Sequence, residues 1–251
     1  MLSKPKIKYV ESLRVKKFRQ KYGNFIVEGE KMADEVLTNK YVTIENIFAT
    51  ETWIAANIHL LKQHFSKTLT VSDNELKQIS GLSTPNKILI IAQQPTPQYD
   101  NDLIENTFSL YLDGIQDPGN MGTILRIADW FSIPYVFCSE SSVDVWNPKV
   151  VQASMGAFLR VQAFETSFEE LKSQFPKLPV FATILRGDNI FAKKMPNHGL
   201  IVVGNEGSGV SPSILAATDF NISIPGGVGG AESLNAAVAT GIVCAVLKNK
   251  R

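Results

Sequence analysis

The chain has 251 residues, 44% hydrophobic and 20% charged, an ordinary globular composition that excludes extended disorder and allows one large or two small domains. Twenty-five Lys and Arg against 24 Asp and Glu give a net +1, which excludes a chain that is basic throughout. Residues 1–21 are nevertheless a basic end: Lys4, Lys6, Lys8, Arg14, Lys16, Lys17, Arg19 and Lys21 face Glu11 alone, a local +7 that suits either a polyanion partner or a solvated helix.

In chain order, residues 5–21 read as a mostly polar helix with Val10, Leu13 and Phe18 as its apolar contacts. Phe25–Val27 reads as a strand and Glu30–Leu37 as a helix. Ile44–Thr50 is the next strand, Trp53–His64 a helix and Thr68–Val71 a strand. Asp73 is placed to cap a helix over 74–80, and Lys87–Gln93 is a strongly apolar strand. This alternation predicts a small α/β domain over residues 1–94. Residues 95–106, polar and with Pro95 and Pro97, read as a linker.

Residues 107–251 form the second predicted domain. Apolar runs at Phe108–Asp113, Tyr135–Cys138, Val161–Phe164, Val180–Leu185, Leu200–Val203 and Asn221–Ile224 suit strands buried on both faces. Helix signals at 120–131, 148–158, 167–175, 212–217 and 233–247 lie between and after them, as in an open parallel sheet. Ligands of such sheets sit beyond the strand C-termini.

Three loops follow strands and carry chemistry-bearing residues. The first runs from Leu112 to Arg126 through a Gly/Pro turn, with Asn120 as a candidate helix cap and Arg126 about a turn and a half further on. The second, Gly204-Asn205-Glu206-Gly207-Ser208-Gly209, sets one carboxylate among glycines, and Pro212 then fits a first helical position. The third has four glycines within 226–230, an entropic cost that a mere connection does not require. In it Ser233 is a candidate cap for the last helix and Asn235 falls in the first turn. Taken singly, each loop is also readable as an ordinary turn or capped helix. Neither glycine cluster fits G-x-G-x-x-G and the chain has no Gly-Lys pair, which disfavours dinucleotide and Walker sites.

Cys138 and Cys244 are far apart, and His59, His64 and His198 form no ligand spacing, so neither a disulfide framework nor a catalytic metal is expected. The basic N-terminus lacks a signal-type apolar core, and the uncharged stretch from Ser233 to Lys248 is too short and mixed for a membrane span. A soluble cytoplasmic protein is expected.

In the order of its loops the chain resembles the SpoU (TrmH-like) family of RNA ribose 2′-O-methyltransferases, in the SPOUT superfamily. The resemblance rests on Asn120-x-Gly122-x-x-x-Arg126, on Gly204-Asn205-Glu206-Gly207-x-Gly209, and on Ile224-Pro225 followed by Ser233-Leu234-Asn235. Asn147-Pro148-Lys149 and Ala153-Ser154-x-Gly156-Ala157 also look like that family's middle segment. The match spans about residues 108–247. Where family members often carry Ile-Pro-Met, this chain has Ile224-Pro225-Gly226. At the front, Phe25-Ile26-Val27-Glu28-Gly29 resembles the L30e-like RNA-binding domain that often precedes this catalytic domain.

The resemblance implies a trefoil-knotted α/β methyltransferase domain preceded by a small α/β L30e-like domain. It implies S-adenosylmethionine held in the knot and a homodimer whose sites are partly lined by the second subunit. Thr183, Leu185, Gly204, Asn205, Gly207, Ile224 and Leu234 correspond to the cofactor pocket. Arg126 is the central catalytic position; since a guanidinium has no acceptor, it reads better as a clamp on phosphate or oxyanion. Glu206 is then an alternative proton acceptor, or the group that orients arginine or RNA. Asn120, Ser233 and Asn235 position the ribose and the loops. Lys6, Arg14, Lys17, Arg19 and Lys21 are expected to neutralise RNA phosphates. The front domain favours ribosomal over transfer RNA as substrate. The rival readings are a non-catalytic RNA-binding or ribosome-assembly factor on the same fold, and a dinucleotide oxidoreductase that the missing fingerprint disfavours.

Overall fold

The computed structural model describes residues 2–192, 194–227 and 231–249. The chain divides into two compact units, one of Met1–Thr96 with Asp144–Leu159, the other of Pro97–Val143 with Arg160–Arg251. The first unit therefore takes up a segment that lies, in sequence, well inside the span assigned to the second domain.

The first unit begins with helices α1 (Lys4–Ser12) and α2 (Lys16–Tyr22), where the sequence predicts one. Strand β1 (Asn24–Glu28), helix α3 (Glu30–Thr38) and strand β2 (Ile44–Ala49) follow. The predicted helix over 53–64 is two short ones, α4 (Glu51–Ala56) and α5 (Ile58–Leu61). Then come β3 (Thr68–Thr70), α6 (Asp73–Ile79) and β4 (Ile88–Gln93). Ser72, not Asp73, caps α6. Its hydroxyl accepts the Glu75 amide while the Glu75 carboxylate accepts the Ser72 amide, a reciprocal capping box.

The sheet order is β1-β4-β2-β3, with β4 antiparallel to both neighbours and β3 parallel to β2. Alternation along β1 splits the core. Phe25 and Val27 face one layer with Met32, Val36, Trp53 and Leu61. Ile26 faces the other with Val10 of α1, Leu13 just past its end, and Leu76 and Ile79 of α6. Val151 and Phe158, from the returning segment, join the first layer, and Trp146 packs on Phe25 with ring centroids 4.5 Å apart.

The second unit opens with α7 (Asn101–Asn106), inside the stretch read as a linker; Ile104 is fully buried in its core. Strand β5 (Phe108–Asp113), helix α8 (Pro118–Trp130) and strand β6 (Tyr135–Cys138) follow. Helix α9 (Pro148–Ser154) belongs to the first unit. The chain continues through β7 (Gln162–Glu165), α10 (Phe168–Gln174), β8 (Val180–Asn189), β9 (Gly199–Gly204), α11 (Pro212–Leu215), β10 (Phe220–Ser223) and α12 (Ala236–Asn249).

The six strands run in the order β10-β8-β9-β5-β6-β7 and every pairing is parallel. One face packs Tyr111, Phe137 and Val202 under Phe168, Leu171 and Ile214 of α10 and α11. On α12, Gly241 lets Ile127 of α8 approach to 3.6 Å of where a methyl would sit. Burial there pushes the Cys244 thiol up to about 12, so it is an inert core residue rather than a nucleophile. Among the described residues no helix is long and apolar enough to cross a membrane.

Candidate active site

Because all six strands are parallel, their C-terminal ends share one edge of the sheet, and the three loops leave from it. Asp113 of β5 pairs with Gly204 of β9, so the first two loops start side by side. Asp113 also accepts the Ser211 amide at 2.7 Å, which ties the far end of the second loop to the start of the first.

The first loop enters α8 through Asp117-Pro118. The cap is Asp117, whose carboxylate accepts the Asn120 amide at 2.7 Å; Pro118 takes the first helical position. Asn120, expected as the cap, is thereby released to act as a side chain. Its Nδ2 donates to Glu206 Oε1 at 2.6 Å, and its Oδ1 accepts from Asn235 Nδ2 at 2.8 Å. Asn235 Oδ1 in turn accepts the Ala237 and Val238 amides at 3.0 and 3.2 Å, so Asn235, not Ser233, caps α12. The direction of this chain is fixed. The backbone amides can only donate to Asn235, so Asn235 donates to Asn120 and Asn120 to the Glu206 carboxylate. Three residues about 115 positions apart at their extremes are thus joined across three loops.

The second loop is shaped by Asn205. Its side chain donates to the Gly114 carbonyl at 2.7 Å and accepts the Gly207 and Ser208 amides at 2.8 and 3.1 Å. Its backbone exchanges two hydrogen bonds with Gly209. The loop folds back so tightly that a methyl on Gly204 would sit 2.2 Å from the Gly209 carbonyl carbon. Asn205 and Gly207 are therefore loop-builders through side chain and amide. Glu206 stands exposed at the turn.

Strand β8 holds a feature absent from the sequence reading. Its ladder to β10 runs Asn221 against Ala182, and the next residue, Ile222, against Asp188. Residues 183–187 leave that ladder, and Gly187 closes the excursion where a methyl would meet the Asn221 carbonyl oxygen at 2.6 Å. Thr183 and Leu185 lie on this excursion. The Thr183 hydroxyl is committed to the Val202 carbonyl at 2.9 Å, whereas Leu185 is 71% exposed. Ile224 is half-buried; Leu234 and Ser233 are exposed. Val228, Gly229 and Gly230, the centre of the glycine-rich run, lie outside the described residues.

Arg126 is exposed on α8, six residues, or about 9 Å of helix rise, beyond Asn120. Among the described residues no hydrogen bond or ion pair joins its guanidinium to Glu206 or to the asparagines. Signals for two missed residues were present in the sequence. Asp-Pro ahead of an apolar helix marks Asp117 as a cap, and a glycine between Arg186 and Asp188, just past an apolar run, marks Gly187.

The five residues expected to meet RNA separate within the first unit. Arg19 is 1% exposed: Nε and Nη2 reach Asp144 at 2.8 and 2.5 Å and Nη1 reaches the Leu13 carbonyl at 2.9 Å. It is a buried anchor and is withdrawn from the RNA-facing set. Lys6 donates to Asn46 at 2.9 Å beside the Phe48 ring, and Arg14, exposed, donates to the Ile79 carbonyl at 2.8 Å. Lys17 and Lys21 are exposed.

The SpoU rRNA Methylase family pattern matches residues 107–245, more than half of the chain. The chain belongs to this family. A pattern for an MRM3-like substrate binding domain matches residues 4–90 ahead of the SpoU region. A Bacillus subtilis (strain 168) protein named 23S rRNA (guanosine(2553)-2′-O)-methyltransferase RlmP is 29% identical over 95% of this chain and 94% of its own length. A TrmH-family structure from Porphyromonas gingivalis is 34% identical, covers all of both chains and superposes with a TM-score of 0.88. An AdoMet-bound rRNA methyltransferase from Sinorhizobium meliloti shares the fold at a TM-score of 0.84 and 24% identity, over 99% of this chain and 95% of that one.

Proposed function

We propose that this SpoU family member transfers the methyl group of S-adenosylmethionine to a ribose 2′-hydroxyl of ribosomal RNA, in the cytoplasm and as a homodimer. The observation that carries the reading is the Asn235–Asn120–Glu206 chain, which sets one carboxylate at the shared mouth of three loops. The residues around that edge fit the cofactor. Leu185, Ile224 and Leu234 offer apolar surface to a flat base, and the tight Gly204 turn keeps backbone close to the mouth. When bound, S-adenosylmethionine supplies the electrophilic methyl.

The protein's own part is positioning, proton handling and charge. Glu206 is the ionisable member of the linked set and takes the 2′-hydroxyl proton. Asn120 holds the carboxylate by one oxygen, leaving the other open to the ribose. Arg126, always protonated, clamps an RNA phosphate or the developing oxyanion with its forked donors. Ser233, exposed two residues before Asn235, is a further hydroxyl for the ribose. Exposed Trp130 and Val238 supply apolar area to the second subunit.

The test is methyl transfer from labelled S-adenosylmethionine to ribosomal and transfer RNA fractions stripped of modification, with alkali-resistant linkages marking the ribose. The expected result is label in the ribosomal fraction, lost with Arg126→Ala while cofactor binding persists. Cofactor binding without label in either fraction would sink the catalytic reading.

A further inference from the structure

The basic end of the chain is also aromatic. Phe18 and Tyr22 lie one turn apart on α2 and stack, with ring centroids 6.4 Å apart and planes 16° from parallel. Tyr9 of α1 meets Tyr22 edge-on at 5.1 Å. Held by two rings, Tyr22 still keeps 42% of its surface open. The Lys21 ammonium lies over the ring, 5.4 Å from its centroid, and Lys17, one turn before Lys21, is exposed. Lys4, Lys8 and Arg14 of the same basic stretch are exposed too, and Glu11 is the one acid within residues 1–21, with Glu45 near Tyr9.

Nor is α2 free to drift. Arg19, on its buried side, forks onto Asp144 and the Leu13 carbonyl. The Tyr22 ring is therefore preorganised, so seating a flat partner on it orders little that is not already ordered.

A part-exposed aromatic ring among cations, on a segment of net +7, has the chemistry of a stacking platform for an unpaired base that takes the place of the Lys21 ammonium. A duplex hides its base faces and would gain nothing from Tyr22. We propose that this face of α1 and α2 binds single-stranded RNA, with one base stacked on Tyr22 and flanking phosphates taken by Lys17 and Lys21. The proposal rests on the reading of the chain as acting on RNA, and names the residue and the conformation of RNA it grips.

The experiment titrates the full-length protein with a single-stranded RNA and a duplex of equal length at several salt concentrations. The wild type should prefer the single strand. Tyr22→Ala should weaken that binding roughly five- to hundredfold with an unchanged salt slope. Lys17→Ala and Lys21→Ala should each reduce the slope by about 0.7. Tyr22→Phe should bind as the wild type. Tyr22→Leu keeps apolar bulk against Phe18 and Tyr9 but has no π face, so its loss of binding, with thermal unfolding unchanged, separates stacking from packing. Wild-type affinity in Tyr22→Leu overturns the platform. Weakened self-association in Tyr22→Ala with RNA affinity intact overturns it in favour of a contact between copies of the chain. A wild type that binds neither RNA removes the RNA reading of this unit itself, and the platform with it.

Discussion

Two arginines, each carried on a helix, show how differently the two units use one side chain. Arg19 of α2 is buried to 1% and spends its guanidinium on Asp144, 125 residues along the chain, and on the Leu13 carbonyl. Arg126 of α8 is exposed, on the helix that leaves the first of the three loops. The first charge is consumed in holding a helix; the second faces solvent. In the sequence both are arginines on helices beside apolar residues, and only the distant carboxylate of Asp144 marks Arg19 as structural.

The contrast is sharpest in stability. Arg19→Ala strands the Asp144 carboxylate, whose side chain is only 14% exposed, and should destabilise the fold by about 3–5 kcal/mol in urea unfolding. Arg19→Lys should recover little, because an ammonium cannot fork to both acceptors. Arg126→Ala should leave the unfolding midpoint within about 0.5 kcal/mol of wild type yet lower methyl transfer about 10²- to 10³-fold. If both variants lost stability equally, the distinction would collapse.

Smaller effects probe the surroundings. Gly204→Ala must push Gly209 away from a 2.2 Å approach, and should cost about 1–3 kcal/mol while depressing cofactor affinity more than either arginine change. The least is expected from Glu75, whose carboxyl is held down to about 2 by the Ser72 and Leu2 amides of its cap. Its folded value lies below the ordinary one, so its contribution is complete above about pH 4.5 and is lost as pH falls toward 2. Glu75→Gln should flatten the pH dependence of unfolding in that window, measured by circular dichroism.

Most strands were legible because parallel, doubly covered strands must be apolar runs, as at Phe108–Asp113 and Gly199–Gly204. Helix starts were misread by one to three residues wherever several capping side chains compete. Asp117 stands for Asn120, Ser72 for Asp73 and Asn235 for Ser233. Local propensity does not choose among such neighbours; the choice is made by distant partners, as when Glu206 draws Asn120 outward. The motif loops named the candidate residues, but the joining of Asn235, Asn120 and Glu206 needed the shared strand edge. The excursion over 183–187 had only Gly187 to mark it, because Thr183, Ile184 and Leu185 continue an ordinary strand pattern. Arg19 was misassigned because its partner lies beyond any local window.

The return of Asp144–Leu159 to the first unit bears on how the chain can be cut and how it matures. A fragment ending at Thr96 would leave Arg19 without its carboxylate and Phe25 without Trp146 and Phe158. During synthesis that unit cannot complete its core until residue 159 has left the ribosome, after the first strands of its neighbour have already been made. The smallest piece that carries the entire N-terminal core is two stretches of chain rather than one, and domain swaps between family members should exchange both together.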